Sequence, residues 1–272
     1  MPKSHYTRSD LVEALRAAGL RRGDIAFSHS HIGFFGIPEG APNPKAACSL
    51  ILDALLEVLG DSGTLVVPTF TYSFPAGMTF DTDLTHSDCG VFTEFVRTHE
   101  AAYRSIDPCV SVAAIGADAK ELTRAVPSNA YGRDSFFERF FAADGKICNL
   151  NFDAGSTFVH FVERELEIPY RFDKTFSGTI RANGVTRSAT STIWVRYVSS
   201  VDTTAEFEAL DELARTQGLF QTATVGRGQV GVITAAATFE LIERTLPERP
   251  WFLTRAELTG RQPVLKLEPT TA

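Results

Sequence analysis

His160 and Glu163, a histidine and a carboxylate three residues apart, are the pair in this sequence best suited to moving a proton. On a helix of 3.6 residues per turn they share one side, so the carboxylate can reach one imidazole nitrogen. The other nitrogen then remains to accept a proton, the arrangement of a general base. Thr157, one turn earlier, and Arg164 fall on the same side, while Phe158, Phe161, Val162 and Leu166 fall on the other. The segment opens with Asp153-Ala-Gly-Ser-Thr157 and follows an apolar run, Lys146-Ile-Cys-Asn-Leu-Asn-Phe152. Strand, glycine turn and helix start together mark the place where α/β folds carry chemistry. The same spacing also fits a surface helix whose polar face holds a histidine and two acids.

Other chemistry-bearing residues are more scattered. Phe27-Ser-His-Ser-His-Ile-Gly-Phe-Phe-Gly36 reads as a strand running into a glycine-containing loop, which frees backbone N–H groups for a phosphate, amide or oxyanion. His29 and His31, two apart in a strand, face the same way, and a metal site with His160 is a minor alternative. No further carboxylate set accompanies them, and no metal is expected. Cys109 could be a nucleophile only as a thiolate, and no helix N-terminus obviously follows it. A packed thiol is the better reading. Gly226-Arg-Gly-Gln-Val-Gly231 is formally G-x-G-x-x-G, but it precedes an extended stretch near the C-terminus instead of opening a helix, so a dinucleotide site is not expected.

Composition bounds the partners. The chain has 272 residues, 44% of them hydrophobic with 21 Phe, enough for a full core. Its 26 basic and 33 acidic residues leave a net charge of −7, which argues against nucleic acid. An acidic surface suits cationic ligands. The cysteines Cys48, Cys89, Cys109 and Cys148 form no C-x-x-C pair. The N-terminal residues show no apolar signal region and no window approaches a membrane span, so a soluble cytoplasmic protein is expected.

Several elements must position these residues. Ser9 is expected to cap a helix ending at Gly19, followed by a strand from Asp24 to His29. Asn43 and Pro44 open a periodic helix that ends at Gly60, and Thr64 to Phe70 is a buried strand. A long polar loop, roughly Tyr72 to Asp88, reads as a lid or binding loop. A helix from Val91 to Thr98, a strand from Val110 to Ile115 and two short helices lead to the His160 segment. This alternation predicts one α/β domain over 1–272, with a central mixed sheet and helices on both faces. From about 175 to 230 the pattern changes to an α+β insertion, with a hairpin turn at Asn183-Gly184 and a helix from Ala205 to Thr216.

In order, these pieces resemble the aminoglycoside 3-N-acetyltransferase family of acetyl-CoA-dependent antibiotic N-acetyltransferases, from about residue 8 to 260. Three blocks carry the resemblance: Gly23-Asp24 through His29-Ser30 to Gly36, Gly63-Thr-Leu-Val-Val-Pro-Thr69, and Gly155-x-Thr157-x-x-His160-x-x-Glu163. It implies an antibiotic N-acetyltransferase-like fold in which Gly226 to Gly231 is an ordinary strand turn. It also implies direct attack of an amine on acetyl-CoA, with His160 as base and Glu163 and Thr157 beside it. Coenzyme A would touch His29, Ser30, His31, Gly33, Phe34, Thr69, Thr71, Arg104, Ser105 and Ser111. The acceptor amine would meet Tyr72, Asp81, Asp107 and Arg171. His31 and Asp107 depart from the family's usual residues, and Ile168-Pro-Tyr-Arg171 is similar to members from surface-polysaccharide pathways. These features favour an amino sugar over a clinical aminoglycoside as acceptor. The alternatives are another acyl or formimidoyl donor, a Cys109 acyl-enzyme, or a non-catalytic binding protein. Neither nucleic acid nor a membrane is an expected partner, and a homodimer is kept open.

Overall fold

The computed structural model describes residues 5–124 and 127–266. Its central sheet contains β1 (Ile25–Phe27), β2 (Thr64–Pro68), β4 (Tyr103–Arg104), β5 (Val112–Gly116), β6 (Lys146–Leu150), β9 (Gln221–Val225) and β10 (Gly228–Thr234). The strand order is β4-β5-β2-β1-β6-β10-β9. The inner strands β2, β1 and β6 run parallel, while β5 and β10 flank them antiparallel. The sheet is mixed, as the alternation of elements predicts.

Successive side chains of a strand point to opposite faces, and here both faces are covered. Phe27, Val66, Ile147 and Ile233 join one core cluster. That face is covered by α4 (Ala119–Thr123), α5 (Phe136–Ala142), α6 (Phe158–Glu165), α7 (Glu208–Thr216) and α8 (Ala235–Thr245). Ala26, Leu65, Val67, Cys148 and Val232 point the other way, onto α1 (Arg8–Ala17), α2 (Pro44–Leu59) and α3 (Val91–Arg97). A short helix, α9 (Arg255–Thr259), lies near the end of the described chain. Among the described residues no helix is long and apolar enough to cross a membrane.

Local chemistry explains most of the boundaries. Asn43 caps α2 by accepting the Ala46 N–H at 2.9 Å, and Gly60 ends it at φ 63°. The cap of α1 is Thr7 instead of the expected Ser9, in a reciprocal capping box with Asp10. The long loop before α3 is not structureless. Its residues Phe80–Asp81 form β3, which pairs with the hairpin of β7 (Arg171–Ala182) and β8 (Val185–Arg196) in a second, three-stranded sheet. Asn183 and Gly184 both have positive φ, as a two-residue turn between twisted strands requires.

The expected insertion at about 175–230 is therefore divided. The hairpin forms its own sheet, whereas β9 and β10 belong to the central one. Gly226 turns the chain between them at positive φ and lies too close to the Phe35 carbonyl for any side chain. Gly228 and Gly231 are likewise tight against Asn151 and Phe220. Packing alone accounts for all three glycines of the G-x-G-x-x-G string.

Candidate active site

The parallel strands β1, β2 and β6 all end on one edge of the sheet, where α/β folds bind ligands. Beyond β6 the chain is held by Asn149, a fully buried side chain. Its amide donates to the carbonyls of Asp153 and Gly155 at 2.6 and 2.8 Å, closing the loop that launches α6. The Asp153 carboxylate accepts the Gly155 N–H at 2.8 Å, and no side chain would fit at Gly155 between Asp153 and the Phe207 ring.

His29, two residues past β1, ties this loop to the neighbouring strand. Its Nε2 accepts the Thr157 N–H at 3.3 Å, with the Thr157 hydroxyl at the same distance. Nε2 as acceptor puts the ring proton on Nδ1, beside the Asn149 side chain. Burial pushes the His29 pKa down to about 4, so the ring is neutral. His29 braces Thr157, and through it the start of the helix.

One turn on, His160 Nδ1 lies 2.6 Å from Glu163 Oε2. Glu163 is fully buried, which rules out a surface helix with a solvated polar face. The chain after α6 folds back onto this carboxylate. Glu167 turns at φ 49°, the Ile168 N–H bonds the Glu163 carbonyl, and Tyr170 and Arg171 follow. The Tyr170 hydroxyl donates to Glu163 Oε1 at 3.1 Å. Arg171 Nε lies 2.7 Å from Oε2 as an ion pair, at an angle short of a hydrogen bond. Burial acts to raise the Glu163 carboxyl, but Arg171, His160 and Tyr170 outweigh it and hold the group below its usual range. Burial, followed by the Arg171 charge, lowers the His160 pKa against the opposing pull of Glu163. Tyr131 and Phe207 flank the imidazole, each with its ring centre 6.2 Å away. Nε2 of His160 has no hydrogen-bond partner among the described residues, so this nitrogen is free for a reacting group.

The remaining expected residues separate into two groups. Ser30, His31, Gly33 and Phe34 continue from β1 along the open edge. His31 stacks on Phe152 at 4.2 Å, and Phe34 is exposed in the 3-10 turn Ile32–Phe35. Beside them is a largely apolar cavity of about 1060 Å³, lined by Ile32, Gly33, Gly36, Ile37, Pro38 and Val91. Tyr72 also projects into solvent.

The second group makes contacts within the fold. The Thr69 and Ser111 hydroxyls are buried 3.0 Å apart. Thr71 accepts the Ser73 N–H and Ser105 the Val112 N–H. Arg104 spends its guanidinium on the carbonyls of Thr69, Thr82 and Thr85 and packs over Phe80. Asp81 and Asp107 each accept two backbone N–H groups, closing local turns. Arg171 faces Glu163 instead of an acceptor. Each of these side chains thus has at least one partner within the fold.

Cys109 is buried with Phe74, Phe80 and Ile180, and burial pushes its thiol up to about 12, far from a reactive thiolate. His29 reaches Thr157 and His31 stacks on Phe152, whose ring also lies near His29. Among the described residues no three His, Cys, Asp or Glu side chains form a metal set.

Sequence reasoning missed a group of acids beside α6. Burial raises the Asp153 pKa, and the charges of Asp211 and Glu206 add to the effect. Asp211 also accepts the Ala154 N–H at 2.8 Å. No local signal announces this group, because α7 lies more than fifty residues downstream. Tyr170 was missed too, although its place just past the helix end was a usable clue.

A sequence profile described as Aminoglycoside 3-N-acetyltransferase matches residues 29–247. The chain is 29% identical over 164 residues to aminoglycoside N(3)-acetyltransferase III of Pseudomonas aeruginosa, a match covering 53% of this chain and 58% of the relative. It thus spans little more than half the length of that relative. Among solved structures, AAC-VIa bound to sisomicin superimposes with a TM-score of 0.75 at 26% identity, covering 92% of this chain and 99% of the other. AAC-IIIb in a binary complex with CoASH shares the fold, with a TM-score of 0.76 at 24% identity and coverage of 89% and 97%.

Proposed function

The chain belongs to the aminoglycoside 3-N-acetyltransferase family, and from that premise we propose that it transfers acetyl from acetyl-CoA to a primary amine of an aminoglycoside-type amino sugar. One observation carries the mechanism: His160 is held through Nδ1 by a buried carboxylate, with Nε2 unengaged at the ligand-binding edge of the sheet. A protonated amine is no nucleophile, and the nitrogen that has attacked a thioester must lose a proton before the intermediate can collapse to an amide. In this account the amine nitrogen attacks the thioester carbonyl, its proton passes to Nε2, and Glu163 stabilises the resulting imidazolium. The carbon–sulfur bond then breaks, and the departing thiolate takes that proton from Nε2, so coenzyme A leaves as the thiol. No bond to the enzyme forms, and the raised Cys109 thiol supports that choice over an acyl-enzyme.

The donor is assigned to the open edge from His29 to Phe34. The apolar cavity beside Gly33 suits the pantetheine arm, and the relative crystallised with CoASH supports coenzyme A as the carrier. The acceptor is assigned to the side of α6 bearing Asp153, Glu206 and Asp211, whose negative potential favours a cationic amine. Of the three features favouring a polysaccharide amino sugar, Asp107 accepts two N–H groups of its own turn and Arg171 places Nε against Glu163. The relative bound to sisomicin therefore gives the first acceptor class to assay.

The test is thiol release from acetyl-CoA with a panel of aminoglycosides and nucleotide-linked amino sugars, with product mass confirming N-acetylation. Turnover of an aminoglycoside is the expected result. Turnover confined to nucleotide-linked sugars would reassign the acceptor, and no thiol release with any amine would refute the activity.

A further inference from the structure

We infer that Arg171 sets the protonation state of His160: its guanidinium sits on the carboxylate oxygen that also holds the imidazole Nδ1–H, cancels the Glu163 charge, and keeps the imidazole neutral and able to accept a proton near pH 7. This inference rests on His160 being the base, and it assigns Arg171 as a positioning residue, not one that touches substrate.

A lone carboxylate in a dry site raises the pKa of the imidazole beside it. Opposite charges attract strongly where water is excluded, so a buried Glu⁻ would draw a proton onto the adjacent imidazole and hold it there. The base would then enter each turnover already protonated. Here Glu163 is fully buried, but Oε2 has Nδ1 at 2.6 Å on one side and Arg171 Nε at 2.7 Å on the other. Both contacts meet on one oxygen, so the two cationic centres can be at most two hydrogen-bond lengths apart. With neutral His160 the cluster carries no net charge, and protonation makes it +1 in a buried setting. Arg171 is itself only 7% exposed, so solvent screens it little.

The carboxylates Asp153, Glu206 and Asp211 also lie beside α6, and their negative charges act against Arg171. From α6 the group facing His160 is Glu163, and from the start of β7 come Arg171 and Tyr170, the latter directed to Glu163. The loop before α5 contributes the Tyr131 ring, and the residue preceding α7 contributes Phe207. Arg164, the next charge along the helix, is turned to Asp173 at 3.0 Å.

The experiment is an NMR titration of the His160 imidazole in the substrate-free protein, paired with the pH dependence of kcat/KM. Arg171→Met should raise the His160 titration midpoint by about 1–3 units, the usual effect of one nearby charge, and move the acid limb of the rate profile with it. Arg171→Lys, which keeps the charge, should restore most of the wild-type midpoint. Arg171→Met strands a buried carboxylate and can fail to fold, so a second pair avoids that problem. In Glu163→Gln the unbalanced guanidinium should hold the midpoint lower than in Glu163→Gln with Arg171→Met. An unchanged midpoint in either comparison overturns the inference. A midpoint that moves while the rate profile stays put refutes His160 as the base and leaves the electrostatic role of Arg171 standing.

Discussion

His160 Nδ1 and Glu163 Oε2 lie 2.6 Å apart on one helix, with the carboxylate fully buried and the imidazole one-fifth exposed. The contact engages Nδ1 and leaves Nε2 as the nitrogen that can accept a proton. Glu163→Gln keeps a hydrogen-bonding group but removes the charge that stabilises imidazolium. It should lower kcat by less than the roughly 10²–10⁴-fold expected for deleting the base. Steady-state kinetics on a verified amine decides this, and a loss equal to that of His160→Ala would make the carboxylate as essential as the base.

Arg104 should matter for stability more than for coenzyme A. Its guanidinium holds three carbonyls from the Thr69 to Thr85 loop, so Arg104→Met leaves buried acceptors unmet. A loss of about 2–4 kcal/mol is expected, measured by urea unfolding. Coenzyme A affinity, measured by calorimetry, should fall far less than a lost ligand contact would require. Unchanged stability with abolished binding would return Arg104 to the donor site.

His29 should give the fold a specific pH dependence. Its pKa is lowered from 6.5 to about 4, so it stays neutral in the fold while an unfolded chain takes up a proton below pH 6.5. The stabilising share is complete above pH 6.5 and is lost as pH falls toward 4. At about 1.4 kcal/mol per unit it amounts to roughly 3 kcal/mol. His29→Phe should remove that part of the slope between pH 6.5 and 4 in denaturant titrations. Parallel slopes in both proteins would mean His29 is not buried neutral.

Much of the framework was legible because it is written locally. Asn43-Pro44 and Gly60 bracket α2, Asn183-Gly184 turns the hairpin, and the three-residue spacing of His160 and Glu163 sets their contact. What escaped depends on long-range packing. Phe80 and Asp81 become a strand only because Ile180 and Arg181 lie beside them, a hundred residues away. Arg104, Ser105, Ser111 and Asp107 are polar residues in suggestive positions, and each bonds the folded backbone. Sequence identifies such groups as donors and acceptors without identifying their partners. Arg171 was expected to meet the acceptor, and its contact with Glu163 was not legible, because that contact requires the reversal at Glu167.

The most direct test of the account is the turnover of His160→Ala on an amine that the wild-type protein acetylates, measured across pH. The account predicts a kcat loss of about 10²–10⁴-fold, or roughly 3–5 kcal/mol of transition-state stabilisation, with coenzyme A affinity nearly unchanged. In the wild type the acid limb should lie below pH 6.5, because burial and Arg171 lower the imidazole pKa, and that limb should vanish in the variant. Near-normal kcat in His160→Ala, with the acid limb intact, would contradict the account.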